Sequence, residues 1–444
     1  MDSATPSTEA RLLKRRAWWL DAAGAMSGVA FAWLAWRSHQ QEVLPLTGFF
    51  AVLACGWAAL LLAWRTGLGL PQEWIARRLW RWAIALRLIG FLAQPVLEDD
   101  FWRYLWDGRQ FAITGNPYAS APIDHFGDAS VPEQFTKVLD NINHPDVRTI
   151  YGPGCELGFL LSYWIAPGKL WPWKLLLLVV DLLTLRMLRG AVGSRYSLLY
   201  AWCPLLILET GFNAHPDALA IGMAVTAMVC FKKQSWFWMA TCLGLAVSTR
   251  VTAVLLLPPL LWRAPKAAWL LCVGIIAALH APFMAQGSWP GWGGTAAFAQ
   301  QWEFNSFGFA LVQWMSNPQV AKLVCLAGFA VCYGMILQRW RSKPPGTWPR
   351  GDWIFGCFFA FSAVVNPWYL LWLLPFVAAR PSATGLAAMA AVTLSYAHGL
   401  FLPDSGLAPY EHPVWVRPAE ALLVLLGVAW DARWLPWPRR SAME

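Results

Sequence analysis

Residues 98–118 read EDDFWRYLWDGRQFAITGNPY. Three acids, Glu98, Asp99 and Asp100, stand in a row, and an apolar run over about residues 80–97 leads straight into them. Arg103, Tyr104, Trp106, Asp107 and Arg109 follow. A helix apolar enough for a bilayer therefore ends in a carboxylate cluster at the water interface. Acids at such a junction are expensive to hold unless they are solvated, paired or used. A solvated loop with Trp and Tyr anchors would account for the aromatics, but aromatic belts do not require three adjacent acids.

Working outward, the whole chain has the composition of a membrane protein. It is 444 residues long, 58% hydrophobic, rich in Trp (32 residues) and only 13% charged. A soluble protein carries about twice that charged fraction. Apolar runs near twenty residues recur along the length, which predicts an all-α polytopic membrane protein. The runs are continuous rather than alternating, which argues against a β-barrel. The net charge of +9 reads as Lys and Arg on cytoplasmic loops, not as nucleic-acid binding. The cysteines, among them Cys55, Cys203, Cys230, Cys272, Cys325 and Cys357, sit mostly in apolar runs without metal-ligand spacing. The N-terminus is polar, then basic at Arg11, Lys14, Arg15 and Arg16. It lacks a cleavage site and reads as leading into an uncleaved helix.

Candidate helices fall at about 17–36, 43–64 and 80–97. Arg65, Arg77, Arg78 and Arg81 lie between the second and third, so positive-inside logic puts them with the N-terminus in the cytoplasm and the acids outside. A long polar stretch, about 98–150, follows as an extracytoplasmic loop, and loops of this length are usually functional. Residues 151–167 read as an interfacial or partly inserted helix. Spans at about 169–189, 196–213 and 217–231 come next, and place His215 and Asp217 on the same outer side as the acids. Residues 235–262 read as two short helices meeting at Ser248, Thr249 and Arg250. Further segments fall at about 267–284, 319–338, 352–365, 383–401 and 415–430. The loop 285–318 reads as outer and interfacial, and the C-terminus as basic and cytoplasmic. The sum is roughly 12–14 helices. The N-terminal tail and two helices occupy 1–79, a catalytic module 80–378 carries the outer loop 98–168, and the last helices and tail fill 379–444. No repeat of 20–50 residues and no nucleotide-binding glycine motif is present.

Composition and topology name no reaction. The run DDFWRYLWDGRQFAITGNPY followed by INHPDVRTIYGPG (142–154) resembles the GT-C superfamily of membrane glycosyltransferases, which use polyprenyl-phosphate sugars. It is similar to the bacterial mannosyltransferase-like members and to the eukaryotic enzyme that adds the first mannose of GPI anchors. Those families carry a D-x-D acid pair at the end of an early helix and a Tyr-x-Pro-Pro-like turn. Here the acids have E-x-D spacing, Glu98 and Asp100 around Asp99, and the turn is Tyr151-Gly152-Pro153, with Gly in place of the usual first Pro. The stretches PLLILETGFNAHPDALA (204–220), STRVTAVLLLP (248–258) and NPWYLLWLLPF (366–376) resemble the family's later segments.

The resemblance implies a GT-C-type bundle, a hexose (mannose) donor on polyprenyl phosphate, and inversion by direct displacement. The acceptor is a hydroxyl of a glycan, lipid or protein, and the location is a bacterial inner membrane with a periplasmic active site. Such transfer needs a base for the acceptor hydroxyl, and adjacent carboxylates raise one another's pKa toward neutrality. Asp100 is the candidate base by motif position, supported by Asp99 and Glu98. A phosphate leaving group calls for cations: Arg250 first, with Arg103 and Arg109 in reach, although Arg109 also reads as a partner of Asp107 or a snorkelling side chain. Asp107 reads as a brace. His215 and Asp217 read equally as structural hydrogen-bonding groups and as substrate-binding ones. Tyr151 and Tyr369 read as borders of the sugar or as interfacial anchors. His215-x-Asp217 lacks a third metal ligand, so neither metal nor cofactor is expected. The competing readings are a lipid or sugar transporter, which would place polar groups at the midplane in two matching halves, a glycan polymerase or ligase, and a membrane scaffold.

Overall fold

The computed structural model describes residues 8–40, 44–291 and 302–433. The centre of the loop 285–318 and the last basic residues, Arg439 and Arg440, lie outside the described residues. Among the described residues the chain is helical, apart from one isolated bridge between Phe304 and Val364. In order, the early helices are α1 Thr8–Ser38, α2 Leu46–Gly67, α3 Gln72–Leu92, α4 Phe101–Thr114, α5 Glu133–Asp140 and α6 Pro153–Ile165. Then come α7 Trp171–Val192, α8 Ser194–Ala201, α9 Pro204–Leu206, a π-helical turn Ile207–Phe212, α10 Asp217–Lys232 and α11 Trp236–Thr249. The remainder holds α12 Leu257–Leu261, α13 Lys266–Met284, α14 Gly308–Met315, α15 Pro318–Arg341, α16 Gly351–Phe361, α17 Leu374–Ala379, α18 Ala383–Ala391 and α19 Val416–Arg433.

Among the described residues, three helices are long and apolar enough to cross a membrane: α2, α13 and α15. Their surfaces stay largely uncovered by protein in α13 and α15, as expected of helices whose partner is lipid. Other segments are shorter than the sequence patterning predicts. The run 196–213 breaks into α8, α9 and the π turn because Pro204 removes a backbone donor. The run 383–401 stops as α-helix at Ala391 and tightens into a 3-10 turn Val392–Tyr396. The stretch 98–150 is largely structured, holding α4, a 3-10 turn Pro122–His125 and α5.

Two features fix the end of α3, on which the acids depend. The helix stops at Leu92 with Pro95 just beyond, because the residues ahead of a proline resist the helical region. Its last turn is clamped by Lys174 of α7, whose ammonium donates to the Gly90 carbonyl at 2.8 Å where the helix dipole favours a cation. Gly90 also lies directly against Gly211: a Cβ on Gly90 would meet the Gly211 Cα at 2.9 Å. The two backbones touch, so the π turn is held against the root of the acidic segment. A second buried clamp, Arg87 of α3 to Asp181 of α7 at 2.8 Å, locks the same pair of helices.

Candidate active site

The acids lie in the connection between α3 and α4 rather than at the tip of α3. Asp99 and Asp100 form the entry turn of α4, their carbonyls accepting from the N–H groups of Trp102 (3.1 Å) and Arg103 (2.9 Å). Their carboxylates thus sit at a helix N-terminus, the end that favours negative charge. One oxygen from each of Glu98, Asp99 and Asp100 lies within 4.8 Å of the others. Asn143 ties two of them together, donating to Asp99 Oδ1 at 2.6 Å and Asp100 Oδ1 at 3.1 Å. Burial raises the Glu98 carboxyl well above its usual range, and the neighbouring Asp100 and Asp99 charges add to this. Burial, then the Asp100 charge, push Asp99 up to about 6.

These acids line a cavity of about 480 Å³ together with Arg103, Arg148, Tyr151, Arg250, Trp368 and Tyr369. Arg250 follows the last residue of α11, where the chain becomes extended before the next turn. It is held by Asp217, with Nη2 2.9 Å from Oδ2 and Nε donating to Oδ1 at 3.2 Å. Trp372 Nε1 completes the shell on Asp217 at 2.9 Å. The guanidinium lies between the rings of Tyr151 (5.6 Å) and Tyr369 (5.8 Å), within cation–π range. Tyr151 also donates its hydroxyl to Asp100 Oδ2 at 3.3 Å. One tyrosine therefore links the acid wall to the cationic wall.

The turn that carries Tyr151 has no room for side chains beside it. A Cβ on Gly152 would meet the Ser248 carbonyl oxygen at 2.3 Å, and one on Gly154 would meet Thr249 Oγ1 at 2.2 Å. Glycine at 152 is thus a packing requirement, which accounts for the departure from the Pro-Pro turn noted above.

His215 lies one layer below the cavity, fully buried. Its ring stacks on Trp368 at 3.8 Å. Nδ1 is 3.2 Å from the Tyr104 hydroxyl and 4.0 Å from Asp100 Oδ2. Nε2 is 3.7 Å from Glu98 Oε2 and 3.5 Å from Glu209 Oε2. Burial lowers this imidazole to about 4, so it is neutral at ordinary pH.

The structure therefore brings Glu98, Asp99, Asp100, Arg103, Tyr151 and Arg250 to one cavity, with His215 and Asp217 directly behind. Arg103 is partly committed: Nε donates to Asp107 at 2.9 Å and Nη2 to the Val147 carbonyl at 2.8 Å. Asp107 is a brace, but for Arg103 and not for Arg109. Arg109 does not line the cavity; it is buried between Trp106 (5.2 Å) and Phe135 (5.4 Å) on the far side of α4. Six positions after Arg103 on a 3.6-residue helix point well away from it. Sequence reasoning missed Asn143 and Arg148, although both stand inside the quoted motif 142–154. It gave no role to Glu209, although this carboxylate within an apolar run stands in the quoted segment 204–220.

The sequence model of a family described as alpha-(1->6)-mannopyranosyltransferase, N-terminal domain, matches residues 16–266, more than half of the chain. No curated protein and no solved structure gives a significant match.

Proposed function

The chain belongs to the alpha-(1->6)-mannopyranosyltransferase family, and from that premise we propose a membrane-embedded transferase of GT-C type that takes mannose from a polyprenyl phosphate. The acceptor is a hydroxyl of a glycan, lipid or protein. The full helical bundle lies in a bacterial inner membrane, with the acid-lined cavity facing the periplasm. The observation that carries this reading is the pairing of Asp100 and Arg250 across Tyr151 in one cavity.

That pairing fits displacement at a sugar phosphate. Asp100 takes the proton of the acceptor hydroxyl as its oxygen bonds the anomeric carbon. The bond from that carbon to the phosphate oxygen breaks with its electron pair, and the configuration inverts. The developing phosphate charge meets Arg250, preorganised by Asp217, and Arg148, an exposed cation at the cavity wall. Asp99 and Glu98 keep the cavity acidic and hold Asp100 in place.

A second cavity of about 900 Å³ supports the lipid donor. It is walled by Phe307, Trp353, Phe359, Leu373, Val392 and Leu425. It adjoins the first where Phe304 and Asn366 of one neighbour Asn305 and Val365 of the other. On α19 its lining runs from Arg417 to Asp431, about 20 Å of helix at 1.5 Å per residue. An isoprenoid tail there would leave its phosphate at the first cavity.

The test is direct. The purified protein in lipid nanodiscs is given polyprenyl-phosphate mannose, polyprenyl-phosphate glucose and a nucleotide mannose, and released polyprenyl phosphate is followed. Release from the mannosyl lipid, lost by at least about 100-fold in Asp100→Asn while that variant still binds donor, supports the reading. Turnover of the nucleotide sugar alone, or near wild-type turnover in Asp100→Asn, overturns it.

A further inference from the structure

Glu209 sits on the π turn, a rare geometry that is frequent at functional sites. The chain then passes through Ala214 at φ +62°, a conformation that non-glycine residues seldom adopt. The result is an unusual contact: a fully buried carboxyl, Glu209, and a fully buried imidazole, His215, under the acid cluster. His215 Nε2 has no hydrogen-bond partner, yet two carboxyls, Glu98 and Glu209, face it.

The surrounding donors fix which oxygen of Glu209 does what. Asn213 Oδ1 accepts the Val96 N–H at 3.0 Å, so its amide nitrogen is the atom turned inward. That nitrogen donates to the Tyr396 hydroxyl oxygen at 3.2 Å, leaving the Tyr396 hydrogen for Glu209 Oε1 at 2.8 Å. Oε1 is therefore an acceptor. Oε2, with one long contact to Asn213 at 3.3 Å, is the oxygen turned to His215. Among the described residues no Arg or Lys pairs with Glu209. The other charged groups near the imidazole are Glu98 and Asp100 from the α3–α4 connection, and the Asp217–Arg250 pair; the phenols are Tyr104 and Tyr396. A bare carboxylate so enclosed, facing Glu98 as well, is far less favourable than a hydrogen-bonded acid.

We propose that Glu209 is a positioning residue: it carries its proton, donates it to His215 Nε2, and so fixes the tautomer whose Nδ1–H faces Tyr104 and Asp100. The opposite tautomer would turn the Nδ1 lone pair toward the Asp100 carboxylate. A hydrogen bond on one ring nitrogen sets the role of the other. His215 Nδ1–H then donates to the Tyr104 hydroxyl oxygen, 3.2 Å away, and turns the positive end of that bond toward Asp100 Oδ2 at 4.0 Å; the stack on Trp368 keeps it aimed there.

The kinetic arm of the test rests on Asp100 acting as the base proposed above; the spectroscopic arm does not. In protein selectively labelled with 15N-histidine, the His215 signals are identified by their absence in His215→Gln. Wild type and Glu209→Gln, whose amide also donates, should show an unprotonated Nε2 and a protonated Nδ1. Glu209→Leu should show Nε2 protonated or a mixture. In transfer, Glu209→Gln should stay within about twofold of wild type. Glu209→Leu should lose about tenfold in kcat, with donor KM unchanged and the acid limb of the rate profile raised by about one pH unit, as a ring lone pair replaces the N–H turned toward Asp100. A protonated Nε2 in wild type or Glu209→Gln overturns the proposal, as does Glu209→Gln falling with Glu209→Leu, or a Leu variant whose tautomer and pH limb do not move. If Glu209→Leu fails to fold, the Gln variant alone decides. If wild type transfers no mannose, the tautomer is still read, and only the functional proposal falls.

Discussion

Arg250 is assigned two tasks, pairing with Asp217 and meeting phosphate, and a double-mutant cycle separates them. Arg250→Gln leaves the Asp217 carboxylate, whose side chain is 1% exposed, with the Trp372 indole as its remaining hydrogen-bond donor. Stranding one member of a buried pair costs about 3–5 kcal/mol. The retained Trp372 bond and the nearby open cavity point to the lower end, about 3 kcal/mol. Asp217→Asn in the same background removes the stranded charge and keeps Oδ1 as an acceptor for Trp372. Stability should then return to within about 1 kcal/mol of wild type, a rescue of about 2 kcal/mol relative to Arg250→Gln alone; Asp217→Asn alone, which strands the Arg250 cation, closes the cycle. Transfer should not return: losing one preorganised electrostatic group costs about 100-fold or more in kcat. Unfolding midpoints in mixed micelles of rising denaturing-detergent fraction measure the first quantity, and initial rates of polyprenyl-phosphate release measure the second. A double variant that regains both would make Arg250 a structural residue alone. A single variant with an unchanged midpoint would remove the energetic premise.

Other outcomes follow from the same geometry. Arg148→Gln should raise donor KM with little change in stability, since the side chain is exposed at the cavity wall; an unchanged KM takes it out of the phosphate site. Asp99 sits at about 6 when folded against about 4 unfolded. Its raised value contributes stability that is complete below pH about 4 and lost as pH rises through about 6. Asp99→Asn should flatten the unfolding midpoint across that window, and a slope identical to wild type would contradict the assignment. Transfer should survive chelation by EDTA; loss restored by a divalent cation would turn the crowded acids from base to ligands.

Much of this site can be read in the chain because rare polar groups in apolar surroundings announce themselves. Glu98, Asp99, Asp100, His215, Asp217 and Arg250 were all visible as polar or charged groups beside apolar runs, and the break at Arg250 between short helices holds in the structure. Pairing is less legible. Arg103, and not Arg109, takes Asp107 because i, i+4 neighbours share a helix face, while Arg109 turns to the aromatics under α5. Helix length also misleads where prolines and turns interrupt an apolar run, as at Pro204. The contact between Glu209 and His215 was beyond sequence reasoning, because a π turn adds a residue to the helical repeat and shifts every side chain after it.

The close fit at Gly152 and Gly154 has a consequence for how this cavity can vary. Main chain rests on main chain at Gly152, and on the Thr249 hydroxyl at Gly154, so the loop bearing Tyr151 and the strand-like exit bearing Arg250 behave as a single rigid jaw. A library aimed at changing which sugar is accepted gains nothing from randomising that hinge. Diversity belongs elsewhere on the lining, at the side chains of His398, Phe401 and Tyr410.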